Sequence, residues 1–285
     1  MILVTGATGN VGTHLVSRLL AAGQQVRVLV RDPAKVEHLG PDVERAQGDL
    51  DQADTLPPAM AGVRVVYLIS DTSQVENVVA AAKEAGVAHI VRQSTIEAGA
   101  TPPLGPGRWH REAELLIERS GLAWTHLRPT MMMVNTIQWW AGSIAAQGTV
   151  FFPGGDGRVS PVDPRDIAAV ASAVLTQPAH AGHAYDVTGP QLLTIGEMVA
   201  TLSRVLDKPI RYVDVPEAVA GEWMTNAGMS PILAAALVET LGGLRSNRFA
   251  YVADTVERRT GHAGRTYEAW CREHVGAFEG RPDAG

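Results

Sequence analysis

The sequence predicts an α/β protein: a doubly wound parallel sheet followed by a smaller, mainly helical C-terminal lobe. Three observations predict it. Short β-branched runs alternate with helix-period stretches as far as residue 190, the rhythm of consecutive βαβ units. The run at 63–69 is apolar almost throughout, as expected of a parallel strand covered on both faces. The first strand also runs straight into the glycine turn Thr-Gly-Ala-Thr-Gly-Asn-Val-Gly and then a helix. Strand, glycine turn, helix at the head of such a sheet is the Rossmann-type arrangement.

The elements follow in order. Residues 2–4 form the first strand, and Gly6, Gly9 and Gly12 the turn. Val11, Leu15, Val16, Leu19 and Leu20 mark one face of the first helix. Residues 25–30 and 42–46 are the next strands, the latter ending at Gly48-Asp49-Leu50. After the strand at 63–69, a helix spans 74–86, with Val75, Val78, Val79 and Ala82 on one face and Gly86 ending it. A strand at 89–93, a helix at 111–120 closed by Gly121, and a strand at 124–127 follow. Beyond Arg128-Pro129 the pattern changes, and 130–160 is rich in Met, Trp, Phe and Gly. Asp163-Pro164, a cap and a first-turn proline, opens a helix at 161–175. Residues 185–187 add a last sheet strand. The Thr194-x-x-Glu197 capping pattern then starts a helix at 193–206 and a more helical second part. This divides the chain into a sheet domain at 1–190, including a pocket segment at 130–160, and a lobe at 191–285. Residues 279–285 read as a loose tail.

Bulk properties narrow the functions. The chain has 285 residues, 46% of them hydrophobic, enough for a large core. A net charge of −6 and the lack of any long basic run exclude the footprint of a nucleic-acid binder. The one cysteine, Cys271, excludes an internal disulfide and a multi-cysteine metal site. It lies beside Trp270 in a C-terminal helix and reads as packing, and no metal is expected. The chain opens in a core strand without a charged-then-apolar leader or a membrane-length apolar run. The expectation is therefore a cytoplasmic protein with no membrane attachment.

The glycine turn carries the first functional reading. Its spacing is G-x-x-G-x-x-G rather than G-x-G-x-x-G, but its context is the one that matters. Glycines let the backbone approach a pyrophosphate, and the amides at the start of the next helix hold it. A turn of this kind without a ligand is the plain alternative. The residues expected at a dinucleotide are Gly6, Thr8, Gly9, Asn10, Val11 and Gly12. Where an NAD site puts an acid, at the end of the second strand, this chain has Arg31, with Lys35 four residues on. A guanidinium suits the 2′-phosphate of NADP, whereas the adjacent Asp32 suits a 2′-hydroxyl. Two cations against one acid favour NADP(H). Asp49 and Leu50 are expected beside the adenine, although Asp49 alone also suits a turn. Ile69, Ser70 and Pro129, at later strand ends, complete the expected cofactor set.

The opening string, Val26-Arg-x-x-x-Arg-Asp-Pro-Ala-Lys35 and Gly48-Asp-Leu50 together resemble the NmrA-like atypical short-chain dehydrogenases. So do Leu127-Arg-Pro129, Val162-x-x-x-Asp-Ile-Ala168 and Tyr185-x-x-Thr-Gly-Pro190. The resemblance spans nearly the whole chain. It implies a Rossmann domain binding NADP(H), with a small C-terminal lobe closing over the substrate. It also implies a function among quinone and other small-molecule reductases or non-catalytic redox regulators.

Ordinary members of the wider family use a Tyr-x-x-x-Lys pair, the lysine lowering the tyrosine's pKa. None of the five tyrosines here has a lysine four residues on. The resemblance places Pro106 at the tyrosine's position and His110 at the lysine's, and its quinone-reductase branch also carries a histidine there. Two readings of His110 stand open: a nicotinamide or substrate contact lending a proton from a pKa near neutrality, or an exposed pair with Glu114 one turn on. Ser94 and Thr95, at the end of the fifth strand, are expected at the substrate or the nicotinamide; a strand-end cap is the plain alternative for Ser94. Reducing a simple ketone makes an alkoxide that needs a strong local acid, whereas a quinone makes a far weaker base. The missing tyrosine therefore points to an electron-poor conjugated acceptor: a quinone, an enone, or an azo or iminium compound.

Met131, Met132, Met133, Trp139 and Phe152 are expected to line a pocket for something flat, although such residues also build cores. Trp223-Met224 and the apolar stretch 231–241 read as a lid or as the face of a homodimer. Three functions remain: an NADPH-dependent reductase, a non-catalytic NADP(H) sensor with a regulatory partner, and an isomerase or epimerase using the cofactor transiently. The full lobe and the Met/Trp-rich segment favour the reductase and a small-molecule substrate.

Overall fold

The computed structural model describes residues 1–279, so the expected tail lies, from residue 280 on, outside the described residues. The central sheet uses β1 (Ile2–Thr5), β2 (Val26–Val30), β3 (Val43–Gln47), β4 (Val65–Leu68), β5 (His89–Gln93) and β6 (Ala123–Pro129). Outside it in sequence come β7 (Thr149–Phe152) and β8 (Arg158–Val159), before β9 (His183–Val187) rejoins the sheet. The order is β3-β2-β1-β4-β5-β6-β9, and every pairing is parallel. The winding reverses between β1 and β4, and the crevice outside the carboxyl ends of those strands is where ligands bind in such sheets.

Two helical layers cover the sheet. On one face lie α1 (Gly12–Ala21) and, later in the chain, the helix Pro164–Thr176. Leu15, Val16 and Leu19 of α1 pack with Val4, Val28, Tyr67, Val91 and Leu127 from the strands. On the other face lie α2 (Leu56–Met60), α3 (Thr72–Glu84) and α4 (Gly107–Glu118), over Leu3, Leu29, Val66, Leu68 and Ile90. Leu3 and Val4 are adjacent and serve opposite layers, as the two-residue period of a strand dictates.

The lobe is where structure and sequence reading part. Residues 130–160 contain a helix, α5 (Asn135–Gln147), which the sequence reading did not anticipate; Gly148, at φ +59°, ends it. Its Trp, Ile, Ala and Gly residues show little polar contrast between faces, so helical periodicity is faint. Met133, Trp140, Ile144, Val150 and Val159 share one core with Ile195, Met198, Leu202, Trp270 and Phe278. The lobe expected from residue 191 thus also takes its core from the segment before it. The remaining helices are α6 (Pro164–Thr176), α7 (Ile195–Val205), α8 (Glu217–Asn226), α9 (Pro231–Arg245), α10 (Thr255–Thr260), α11 (Tyr267–Glu273) and α12 (Val275–Phe278). Two further strands, β10 (Leu193–Thr194) and β11 (Arg211–Asp214), pair with β8 and β7. Val256 of α10 returns to the core under α6. Cys271 is buried in α11 with Tyr267 and Trp270. Among the described residues, no helix is long and apolar enough to cross a membrane.

Candidate cofactor cleft and substrate cavity

Gly6 leaves β1 at φ +64°, a conformation open to glycine. Gly9 N–H donates back to the Gly6 carbonyl at 3.0 Å. A Cβ on Gly12 would lie 2.0 Å from that same oxygen, so α1 closes onto the turn only because residue 12 is glycine. Helix α1 has no side-chain cap and no acid in its first turn. Thr13 N–H donates to Gly9 O at 3.2 Å, while the uncapped positive end of the helix favours an outside anion at the amides that precede it.

Beyond this turn opens a cleft of about 510 Å³, lined by Gly6, Thr8, Arg31, Lys35, Asp49, Leu50 and Ile69, among others. Of the expected cofactor residues, these seven meet on one wall. Gly9 and Asn10 are exposed on the loop beside it. Val11 has its side chain buried against the sheet, 3% exposed, and offers its backbone. The donor set at the far end suits a phosphate. Arg31, Asp32 and Lys35 all line the cleft, and Asp32 Oδ1 also accepts from Ala34 N–H at 3.1 Å and caps the 3-10 turn Pro33–Leu39 that carries Lys35. Asp49 does two things: it lines the cleft, and its Oδ1 accepts from Asp51 N–H at 3.1 Å. Thr5 Oγ1 accepts from Ile69 N–H at 2.7 Å and ties β1 to the loop after β4 where the winding reverses. Asp71 also lines the cleft and was not anticipated.

A second cavity of about 370 Å³ lies past the ends of β5 and β6, mostly apolar. Ser94, Thr95, His110, Met131, Met132, Trp139 and Phe152 line it, as expected, and so does Pro129, which is absent from the cofactor cleft wall. Trp139 stacks on Phe152 with centroids 5.5 Å apart. Met133 does not line the cavity. The turn after β6 directs it into the lobe core, where it is fully buried, its N–H donating to Val162 O at 2.9 Å. Ser70 belongs to a third hollow, with Asp71, Arg92 and His110, between cleft and cavity. Of the stretch read as a lid or dimer face, Leu237 and Leu241 of α9 line the cavity, as do Thr240 and Leu244; Trp223 and Ile232 are exposed.

The electrostatics behind the cavity leave His110 in reach of a substrate but correct its expected near-neutral pKa and its expected exposed pairing with Glu114. Arg92, on β5 and 1% exposed, sends Nη1 to Gln93 O and Nη2 to Ser70 O, both at 3.2 Å. Nη1 is also 3.2 Å from His110 Nδ1. A guanidinium only donates, so Nδ1 accepts and the imidazole proton resides on Nε2. Burial, and then the Arg92 cation, push His110 down to about 4. It is a neutral hydrogen-bond donor at pH 7, with no proton poised near neutrality. Nor does it form an exposed pair with Glu114. That carboxylate is fully buried and accepts from Arg128 Nε and Nη2 at 2.9 and 2.7 Å and from Arg111 Nη1 at 2.9 Å. Burial pushes Glu114 up, but the Arg128 hydrogen bonds and nearby positive charge outweigh it and hold it at about 2. Glu114, Glu118 and His126 offer ligand atoms within 4.8 Å of one another, yet Arg111 and Arg128 already supply positive charge to both carboxylates.

The sequence reading missed Arg92 and Glu97. A charge directly after the apolar pair Ile90-Val91 of a central parallel strand was the available signal for Arg92. Helix α4 was expected from residue 111 and begins one turn earlier, at Gly107. A Cβ there would lie 2.4 Å from the Glu97 carbonyl carbon, so that glycine serves close packing.

Residues 6–178 match the model of a family described as NAD(P)H-binding. An NAD(P)H azoreductase of Xenophilus azovorans is 40% identical over 98% of this chain and 99% of its own length. A (4-alkanoyl-5-oxo-2,5-dihydrofuran-3-yl)methyl phosphate reductase of Streptomyces griseus is 39% identical over 98% of this chain and 99% of its own. Among solved structures, an NADPH-dependent quinone oxidoreductase of Escherichia coli complexed with NADPH superposes with a TM-score of 0.86. It is 28% identical and covers 95% of this chain and 98% of its own.

Proposed function

The chain belongs to the NAD(P)H-binding family and is an oxidoreductase of it, and we propose that it is NADPH-dependent and reduces a flat, electron-poor conjugated small molecule: a quinone, an enone or an azo compound. The observation that carries this reading is the substrate cavity. Its walls are Met131, Met132, Trp139, Phe152, Leu237 and Leu241, with polar groups from Ser94, Thr95, Glu97 and His110. Such walls take a planar apolar body, and the polar groups orient its heteroatom. The named relatives support the class, since azo compounds, quinones and an acylated furanone are all conjugated acceptors.

In this reading the amides leading into α1 hold the pyrophosphate, Arg31 and Lys35 the 2′-phosphate, and Asp49 and Leu50 border the adenine. Bound NADPH supplies hydride. His110 donates from Nε2 to the acceptor's oxygen or nitrogen, stabilising the charge that develops there without becoming charged itself. Arg92 fixes the imidazole in the tautomer this needs. Residues of α9 roof the cavity and exclude water.

The test is anaerobic oxidation of NADPH, with NADH in parallel, against quinones, enones, azo dyes and simple aliphatic ketones. Turnover of conjugated acceptors with NADPH preferred is expected. Preference for aliphatic ketones refutes the substrate class, and equal efficiency with NADH refutes the role of Arg31 and Lys35.

A further inference from the structure

Glu97 supplies the carboxyl group of the substrate cavity. It lies in the 3-10 turn Ile96–Gly99, directly after β5, and lines the cavity together with Ser94, Thr95 and His110. Its position is firmly held. Its carbonyl accepts from Ala100 N–H and Leu104 N–H, both at 3.3 Å, and Gly107 packs against its backbone. Its side chain accepts a hydrogen bond from Thr95 Oγ1. The fully buried carboxyl of Glu114 nearby has two cations, Arg128 and Arg111. Among the described residues Glu97 has no ion-pair partner. Arg128, the nearest guanidinium on the sheet side, is held by Glu114, and Arg248 faces the carbonyls of Thr101 and Pro102.

We propose that Glu97 is the proton donor of this enzyme, taking the place of the tyrosine that the sequence lacks. The proposal rests on the reductase reading above. When hydride reaches one atom of the conjugated acceptor, the electron pair of the broken π bond moves to the far heteroatom. The Glu97 carboxyl O–H bond breaks and its proton forms the new O–H or N–H bond there. NADPH is oxidised to NADP⁺, the acceptor gains two electrons and two hydrogens, and the Glu97 carboxylate regains its proton from solvent.

The surroundings shift the carboxyl toward the protonated form. Burial pushes Glu97 up, while the Thr95 hydrogen bond opposes that push. The charged or titratable groups facing it are His110 across the cavity, which is neutral, Tyr251 beyond Phe249, and Arg128 and Arg248 already described. A raised carboxyl stays protonated to higher pH, so turnover limited by proton delivery falls as pH rises through the raised value.

Two measurements test it. Infrared difference spectroscopy of wild type against Glu97→Gln, with NADPH bound, should show a protonated-carboxyl band at neutral pH that titrates away on raising pH. A carboxylate band in its place overturns the proposal whatever the activity. In parallel, single-turnover reduction of methyl red and of 1,4-naphthoquinone is followed from pH 5 to 9. Wild type should lose methyl red rate at high pH. Glu97→Gln should lose about a hundredfold at neutral pH and have no such limb, Glu97→Asp should recover part of the loss, and naphthoquinone should fall less. If Glu97→Gln keeps the wild-type rate and pH profile on methyl red, the donor is refuted while the reductase stands. If wild type reduces neither probe nor any other conjugated acceptor, the reductase reading fails and the donor with it. Should Glu97→Gln not fold, the Glu97→Asp difference spectrum and the wild-type profile decide.

Discussion

Removing the Arg31 side chain isolates how the cleft reads its cofactor. Arg31 stands at an exposed rim of the cleft, so its bonds to a phosphate are partly screened. Hydrogen bonds to charged groups are worth about 1.5–3 kcal/mol net, and the exposure selects the lower half of that range. Lys35 remains and keeps some attraction for a dianion. Asp32 gives no compensating contact to a ribose hydroxyl through Oδ1, which caps the following turn. Arg31→Ala should therefore weaken NADPH by about 1.5–2 kcal/mol, roughly ten- to thirtyfold in Kd. NADH, lacking the 2′-phosphate, should change by less than about twofold. Titration calorimetry of both dinucleotides at low and high salt measures this directly, and the NADPH loss should shrink as salt rises. Equal losses for the two dinucleotides, or none for NADPH, would falsify the assignment of Arg31.

Three further outcomes follow from the geometry. Gly9→Val puts branched carbons in a turn where even a Cβ sits 3.3 Å from Gly6 O, so dinucleotide binding should vanish while the melting transition stays cooperative; unchanged NADPH affinity refutes the turn as the pyrophosphate site. Arg92→Met strips donors from the carbonyls of Ser70 and Gln93 and should cost about 2–4 kcal/mol in urea unfolding; it also removes the cation beside His110, whose imidazole should then titrate above about 4 while burial still holds it below its ordinary value, and an unmoved NMR titration refutes the contact. His126 is fully buried and held at about 4, chiefly by burial. Its depressed value makes the folded state resist protonation, so its contribution is complete above pH 6.5 and is lost as pH falls toward 4, about 2 kcal/mol by pH 5. Unfolding free energies at pH 7 and 5 for wild type and His126→Gln check this, and an identical pH slope in the two proteins refutes it.

The cofactor half was legible because its signals are local. A strand, three glycines and a helix sit within residues 2–21, and the loop after β2 carries Arg31 and Lys35 side by side. The substrate half was legible in composition and not in arrangement. Met131 and Met132 line the cavity while Met133 turns away, and three identical residues in a row hold no information about which does which. His110 was found, but its proton was misjudged, because the pKa depends on Arg92 from another strand eighteen residues away. Glu114 pairs with Arg128 rather than with His110 for the same reason: helix spacing names neighbours on one helix and says nothing of the strand beneath. Glu97 was passed over because a lone acid at the start of a turn looks like solvent-facing polarity until α4 and α9 close around it.

The lobe's core is shared between 133–159 and 195–278, with α6 and β9 of the sheet domain threaded between them. A chain emerging from its N-terminus completes all seven sheet strands before this core can close. Trp140, Ile144 and Val150 must then wait, apolar and uncovered, for about fifty residues of synthesis before α7 arrives. During that interval the chain presents an adhesive surface that the finished protein conceals, so the vulnerable step in its production is late, and lies in the half that chooses the substrate. Truncation between β9 and α7 leaves the sheet carrying an orphaned half-core, and aggregation rather than a smaller working domain is the expected consequence.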